Sequence, residues 1–306
     1  MIDLKAVNFH NVWTRMALPH SGSNEKSNHW FHSDNPETYA ARGNKEFGPD
    51  DIFYCFNSLG YRTKEFAEID HDAFKIMLLG CSVTLGVGLP IEVTYGEFLA
   101  QLIRDKYHIP VEVINLGMGA RSVDFITRVL FQSLPVLRPH YVFCLMPDLS
   151  RREYVHYRDD MIMADYFGIY TNIESTEPHD EAFLTLQSDE WDFFSLIKNL
   201  SFIELILRDH RWSWDTWGGF VWQWREQRDV WSQYFDTKHY RMQQMRGDDE
   251  RRGRARDNMH WGVAYHRYVA QDLFSHIELR HAVTDYLKTS AVPWDLVGRT
   301  VGNVSE

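Results

Sequence analysis

Phe74-Lys75-Ile76-Met77-Leu78-Leu79-Gly80-Cys81-Ser82-Val83-Thr84-Leu85-Gly86-Val87-Gly88 is the stretch that decides the reading of this chain. A short, largely apolar run stops at a glycine, and a serine follows inside a glycine-flanked turn. Short apolar runs bounded by turn residues fit strands buried on both faces, as in a parallel sheet. A turn of this kind exposes a hydroxyl at the sheet edge and offers backbone N–H groups to an anion. Two more runs repeat the pattern. Val111 to Leu116 ends at Gly117, and Tyr141 to Met146 ends at Pro147.

Helical patterns separate the runs. Thr94 and Glu97 suggest a capping box for a helix over Tyr95 to Tyr107, closed by Pro110. Ser122 is placed to cap a helix with Val123, Ile126, Val129 and Leu130 on its apolar face, ended by Pro135. Strand, helix, strand, helix, strand implies right-handed crossovers and a parallel sheet covered on both sides, an α/β fold of three layers. In such sheets ligands bind beyond the C-terminal ends of the strands, which Gly80, Gly117 and Pro147 mark.

Outward from this frame the pattern changes. Residues 1–52 form a polar arm rich in His, Asn and Asp, loop-like from Ser21 to Pro49. Residues 151–248 read as an aromatic, mainly helical insert, with a helix over Trp191 to Leu207 and six tryptophans from Trp212 to Trp231. Met161 to Ile173 is its best candidate for a further strand. The tryptophans either line a substrate cleft or bury the insert against the core. A last helix is expected over Val263 to about Leu287, with Tyr265, Val269, Leu273 and Ile277 on one face.

The chain has 306 residues and a formal net charge of -11, which argues against broad electrostatic binding to nucleic acid or an anionic membrane surface. No stretch approaches the roughly 20 apolar residues that span a bilayer, and the N-terminus does not read as a signal peptide, so a cytoplasmic location is expected. Three cysteines, Cys55, Cys81 and Cys144, are expected as reduced thiols. No Cys/His cluster has zinc spacing. Gly80 to Gly88 lacks the Lys-Ser/Thr of a phosphate loop. No metal or organic cofactor is implied.

Ser82 is a weak nucleophile unless a base takes its proton. Asp257-Asn258-Met259-His260 supplies an acid and an imidazole at Asp-x-x-His spacing. That spacing lets the carboxylate fold back onto the ring nitrogen facing away from the serine.

Together these segments resemble the SGNH (GDSL-like) hydrolases. Gly80-Cys81-Ser82-Val83-Thr84-Leu85-Gly86 is similar to that family's first block, Gly-Asp-Ser-x-Thr-x-Gly. Asn115-Leu116-Gly117-Met118-Gly119 resembles its second, and Arg256-Asp257-Asn258-Met259-His260-Trp261-Gly262 its last. Asn57-Ser58-Leu59-Gly60-Tyr61-Arg62 is similar to a segment that often precedes the first block. The resemblance implies a flavodoxin-like three-layer fold built from residues 53–150 and 249–306. It implies hydrolysis of a carboxylic ester, such as a carbohydrate O-acetyl ester, through an acyl-enzyme on Ser82. His260 would be the base, Asp257 its orienting partner, and the N–H groups of Ser82 and Gly117 the oxyanion hole. The partner would be a small-molecule or glycan ester. Two further functions stay open: a glycan- or protein-binding module without turnover, and an O-acyltransferase. Cys81 stands where the family has Asp, and Pro147 where it has the Asn that donates to the oxyanion. Arg151 and Arg152 follow closely and are the candidate substitute donors.

Overall fold

The structure is a computed structural model. It describes residues 21, 26–158, 161–167, 185–216, 233–234, 237–240 and 253–290, and of 154–167 the backbone alone. Strands β1 (Phe74–Leu79), β2 (Val111–Asn115) and β3 (Tyr141–Met146) fall on the three apolar runs. β1 lies between β2 and β3 and pairs with both in parallel.

Alternate residues of these strands point to opposite faces. Met77, Leu79, Ile114, Val142 and Cys144 join one core, with α4 (Val123–Leu137) and α5 (Asp189–Leu207) over it. Ile76, Leu78, Phe143 and Leu145 join the other, under α3 (Tyr95–Tyr107), α6 (Val263–Ser275) and α7 (Ile277–Thr289). The result is the expected three-layer α/β/α fold with a parallel sheet. Two earlier, shorter helices are α1 (Pro36–Arg42) and α2 (Ser82–Leu85).

The fourth sheet strand is not where the sequence suggested. β6 (Arg211–Thr216) pairs in parallel with β3, giving the order β2-β1-β3-β6. Its residues Arg-Trp-Ser-Trp-Asp-Thr carry tryptophans at alternate positions, and Trp212 and Trp214 are both buried in the α4/α5 core. Met161–Phe167 is a strand, β5, but it pairs with β4 (Arg152–Arg158) in a separate antiparallel ribbon. The expectation of a mainly helical insert is therefore corrected: its described residues hold one long helix, a hairpin and a sheet strand. Trp217, Trp222, Trp224 and Trp231 lie outside the described residues.

Local signals fared unevenly. Ser122 Oγ accepts from Phe125 N at 3.2 Å, the expected cap of α4. Pro135 does not end that helix, which runs to Leu137. Pro135 has no N–H to give to Phe131 O, so the helix forfeits one hydrogen bond and ends two residues later. Thr94 stands at the N-cap of α3, but its hydroxyl donates to Ile91 O at 2.7 Å and makes no capping box. The terminal helical region breaks at His276, extended at ψ 138, into α6 and α7. No helix among the described residues is long and apolar enough to cross a membrane.

Candidate active site

Gly80 ends β1, and Ser82 opens α2, a single turn that closes at Gly86 in the left-handed conformation. The Ser82 backbone N–H precedes the first intrahelical bond and makes no hydrogen bond to the described residues. Ser82 is buried, and its hydroxyl has one contact of hydrogen-bond type, to Cys81 Sγ at 4.0 Å. The far end of α2 is gripped by Arg62, itself buried, which donates to the carbonyls of Leu85, Gly86 and Leu89 at 3.3, 2.8 and 3.0 Å. A guanidinium on the terminal carbonyls of a helix satisfies acceptors the helix cannot. This gives Arg62, at the end of the Asn57–Arg62 turn, a physical task in holding the serine's turn.

Asp257 and His260 meet as the spacing predicted. His260 Nδ1 lies 2.6 Å from Asp257 Oδ2. The carboxylate also accepts from the backbone N–H groups of Met259 and His260, both at 3.0 Å on Oδ1. Asn258 turns the chain between them with a φ of 55°, a conformation asparagine tolerates. Burial pushes the Asp257 carboxyl up. The hydrogen bond and charge of His260, its backbone N–H and the Ser33 hydroxyl outweigh that and hold it down at about 2. The carboxylate is thus ionised across the working pH range and orients His260 with Nδ1 turned inward. Nε2 of His260 makes no hydrogen bond to the described residues, and the side chain is 15% exposed.

The dyad is fastened to the loop that follows Ser82. Arg256 N donates to Gly88 O at 2.9 Å. Gly88 has a φ of 76°, and a Cβ there would stand 2.8 Å from Ala255 Cβ and 3.0 Å from Arg256 N. Only glycine lets the two loops close to this distance. The two segments lie more than 160 positions apart in sequence, so no local pattern records their meeting. No hydrogen bond joins Ser82 Oγ to His260 directly.

No protein-family model matches the sequence, and no curated protein does. The fold is similar to solved esterase structures. A family 3 carbohydrate esterase from Clostridium thermocellum is 13% identical at a TM-score of 0.45, over 69% of this chain and 98% of that one. An acetyl xylan esterase from Butyrivibrio proteoclasticus is 11% identical at 0.42, over 70% and 66%. A psychrotrophic esterase from Pseudoalteromonas sp. is 12% identical at 0.40, over 71% and 100%.

Two expectations for the oxyanion hole are corrected. Gly117 N–H is donated to Asn115 Oδ1 at 3.0 Å, because the asparagine side chain reaches two residues forward along the turn. The neighbouring N–H groups of Gly119 and Ala120 make no hydrogen bond to the described residues. This turn is anchored to the serine's strand end by Met118 N on Gly80 O at 3.2 Å. Arg152 is committed elsewhere, to Asp192 Oδ1 at 2.5 Å and to the carbonyls of Leu149 and Arg151. Arg152 Nε has no hydrogen-bond partner, but both terminal nitrogens of Arg152 are spent, whereas Arg151 is buried with its terminal Nη1 unpartnered.

Sequence reasoning missed Ser33, Asp34 and Tyr54. Ser33 Oγ donates to Asp257 Oδ2 at 2.7 Å. Asp34, fully buried, takes Arg256 Nε and Nη2 at 2.8 and 2.7 Å in a two-pronged ion pair. Tyr54 links Asp34 Oδ2 (2.6 Å) to Gly88 N (2.7 Å) through its hydroxyl. Nothing in a polar, His- and Asn-rich stretch marks which side chains reach 220 positions onward. Cys81 and Cys144 are buried free thiols, and Cys55 is exposed. Among the described residues no three His, Cys, Asp or Glu side chains are grouped as a metal site requires.

Proposed function

We propose that this protein hydrolyses a carboxylic ester through an acyl-enzyme on Ser82. The observation that carries the reading is the Asp257–His260 contact, with its carboxylate buried, held on the same loop system as the Ser82 turn by Arg256 N on Gly88 O. His260 takes the Ser82 proton on Nε2 as the hydroxyl attacks the ester carbonyl. The same proton then passes to the leaving alcohol, the carbonyl reforms, and Ser82 is acylated. A water molecule activated in the same way by His260 releases the acid and restores the serine. Asp257 keeps His260 in the tautomer with the proton on Nδ1 and stabilises the imidazolium that forms.

The oxyanion is assigned to the Ser82 N–H and to the free N–H groups of the Gly119–Ala120 turn, since Gly117 N–H is occupied. Arg151, with its unpartnered nitrogen, is the remaining candidate for the side-chain donor that Pro147 cannot be. The substrate class is a small or glycan ester, with a carbohydrate O-acetyl group as first choice.

The deciding experiment has two arms. A fluorophosphonate should label the protein on Ser82, and an aryl acetate should be turned over with loss of at least a thousandfold in Ser82→Ala. Equal turnover by the wild type and Ser82→Ala would refute the reading. Labelling without turnover in water, with product appearing on addition of a sugar alcohol, would transfer the protein to the O-acyltransferases.

A further inference from the structure

The Asp257 carboxylate has four donors, and they differ in origin. Three belong to its own turn: Met259 N and His260 N on Oδ1, and His260 Nδ1 on Oδ2. These fix the carboxylate relative to the imidazole, but they move with the turn and cannot fix the pair relative to the sheet. The fourth, Ser33 Oγ, comes from 224 positions away.

Ser33 is itself held on both sides. Phe31 and Asp34 exchange backbone hydrogen bonds around it, Phe31 N to Asp34 O at 2.8 Å and Asp34 N to Phe31 O at 3.0 Å. His32, between them, adopts a φ of 53°, a left-handed conformation that non-glycine residues pay for. Asp34 then anchors the turn on Arg256, whose five N–H donors all find acceptors. They are Asp34 Oδ1 and Oδ2 and the carbonyls of His29, Gly48 and Pro49. The strained turn is thereby fastened to the residue next to Asp257, and the serine between the two anchors meets the carboxylate.

We propose that Ser33 is a positioning residue of the Ser82–His260–Asp257 site, its hydroxyl tying the Asp257 carboxylate, and His260 with it, to the Phe31–Asp34 turn and so fixing the pair relative to the rest of the site. The inference rests on the function proposed above. Ser33 touches no reacting atom; it acts through Asp257. Without it, Oδ2 keeps only His260 and Oδ1 still holds the two N–H groups of its own turn, so the carboxylate stays on the imidazole but loses its side-chain tie to the Phe31–Asp34 turn. The pair can then shift as a unit, and the imidazole spends less time where its Nε2 can take the Ser82 proton.

The test uses Ser33→Ala and Ser33→Thr in the full chain, with two readouts. The first is aryl acetate hydrolysis. Ser33→Ala should lose about ten- to a hundredfold in kcat with KM little changed, the loss of one hydrogen bond to a charged group, and Ser33→Thr should restore most of it. The second is the proton NMR signal of His260 Nδ1–H, assigned by its disappearance in His260→Gln. A short bond to a carboxylate sends this proton far downfield. It should shift or broaden in Ser33→Ala and return in Ser33→Thr. A Ser33→Ala protein with both kcat and the signal unmoved would overturn the proposal, as would a loss of kcat that Ser33→Thr fails to recover while the signal stays in place. If the wild type is inert to ester and phosphonate alike, the function falls and the proposal's catalytic meaning with it. The NMR arm would then still decide whether Ser33 holds the Asp257–His260 pair.

Discussion

Ala120 holds a φ of 59° in the turn that follows β2. For a residue with a Cβ this conformation costs roughly 1–2 kcal/mol. Strain of that kind persists where the surroundings fix the backbone, and here it stands at the turn assigned to the oxyanion. Ala120→Gly should therefore raise the unfolding free energy by about 1 kcal/mol in urea denaturation, with the turn's N–H groups left in place. A less stable variant would mean that the alanine methyl's contacts outweigh the strain. The same scale separates the two arginines after β3. Arg151→Ala should lower esterase kcat, while Arg152→Ala, which strands Asp192, should lower thermal stability and leave kcat near wild type. The reverse pattern would return the donor role to Arg152. At this scale the sequence was legible where chemistry is local. Asp257 and His260 were found because their contact spans three positions. Gly117 was misjudged because its N–H is captured by Asn115, a side-chain choice that spacing does not encode. Ser33 was missed because its partner lies at the other end of the chain.

Among the elements, β1, β2 and β3 were readable because strands buried on both faces are continuously apolar. β6 was hidden by its composition. Arg211, Ser213, Asp215 and Thr216 break the apolar run, and Trp214 and Trp217, with Trp224 and Trp231 beyond them, fall near helical spacing. The strand is nonetheless buried at Trp212 through Thr216: it is the sheet strand beside β3, its tryptophans lie in the α4/α5 core, and Tyr240 bridges Trp214. Two of the layers carry histidines locked in the neutral form. His266, on α6, accepts Tyr95 N on Nδ1 at 3.0 Å, and burial, the charge on His260 and that on Arg62 push it down to about 3. His140, just before β3, accepts Lys75 N on Nδ1 at 2.9 Å, and burial and Lys75 push it down to about 4. The unfolded chain protonates both near pH 6.5 and the folded one does not. Their contribution is present above about pH 6.5 and is lost as the pH falls toward these values, the unfolded state binding the extra protons. Stability measured by urea denaturation should fall between pH 7 and pH 5, with a slope from His266 approaching about 1.4 kcal/mol per pH unit. His266→Gln should flatten that dependence; an unchanged slope would place the sensitivity elsewhere.

The whole molecule is closed by the contact between Asp34 and Arg256. Both side chains are fully buried, and each satisfies the other with two hydrogen bonds. Removing one member of such a pair leaves a buried charge without its counterion, which costs about 3–5 kcal/mol. Asp34→Ala should destabilise the fold by that order in denaturant titration. The double variant Asp34→Ala with Arg256→Met should recover part of the loss, because it removes the stranded charge as well. No recovery would mean that the carbonyls of His29, Gly48 and Pro49 need the guanidinium more than the aspartate does.

That contact also sets a timetable. Asp34 and Arg256 are 222 positions apart, and a ribosome adding about 5–20 residues per second needs roughly 10–45 seconds to cover the gap. Through that interval the segment carrying Ser33 has emerged, while the loop it must clasp has not yet been made. A carboxylate that ends in a dry interior starts its life in water, and Phe31 and Tyr54, destined for the same core, wait beside it. A chain cut short after β3, which ends at Met146, but before residue 256 would keep β1, β2 and β3 and lack the residue that fastens the first part of the chain to the last.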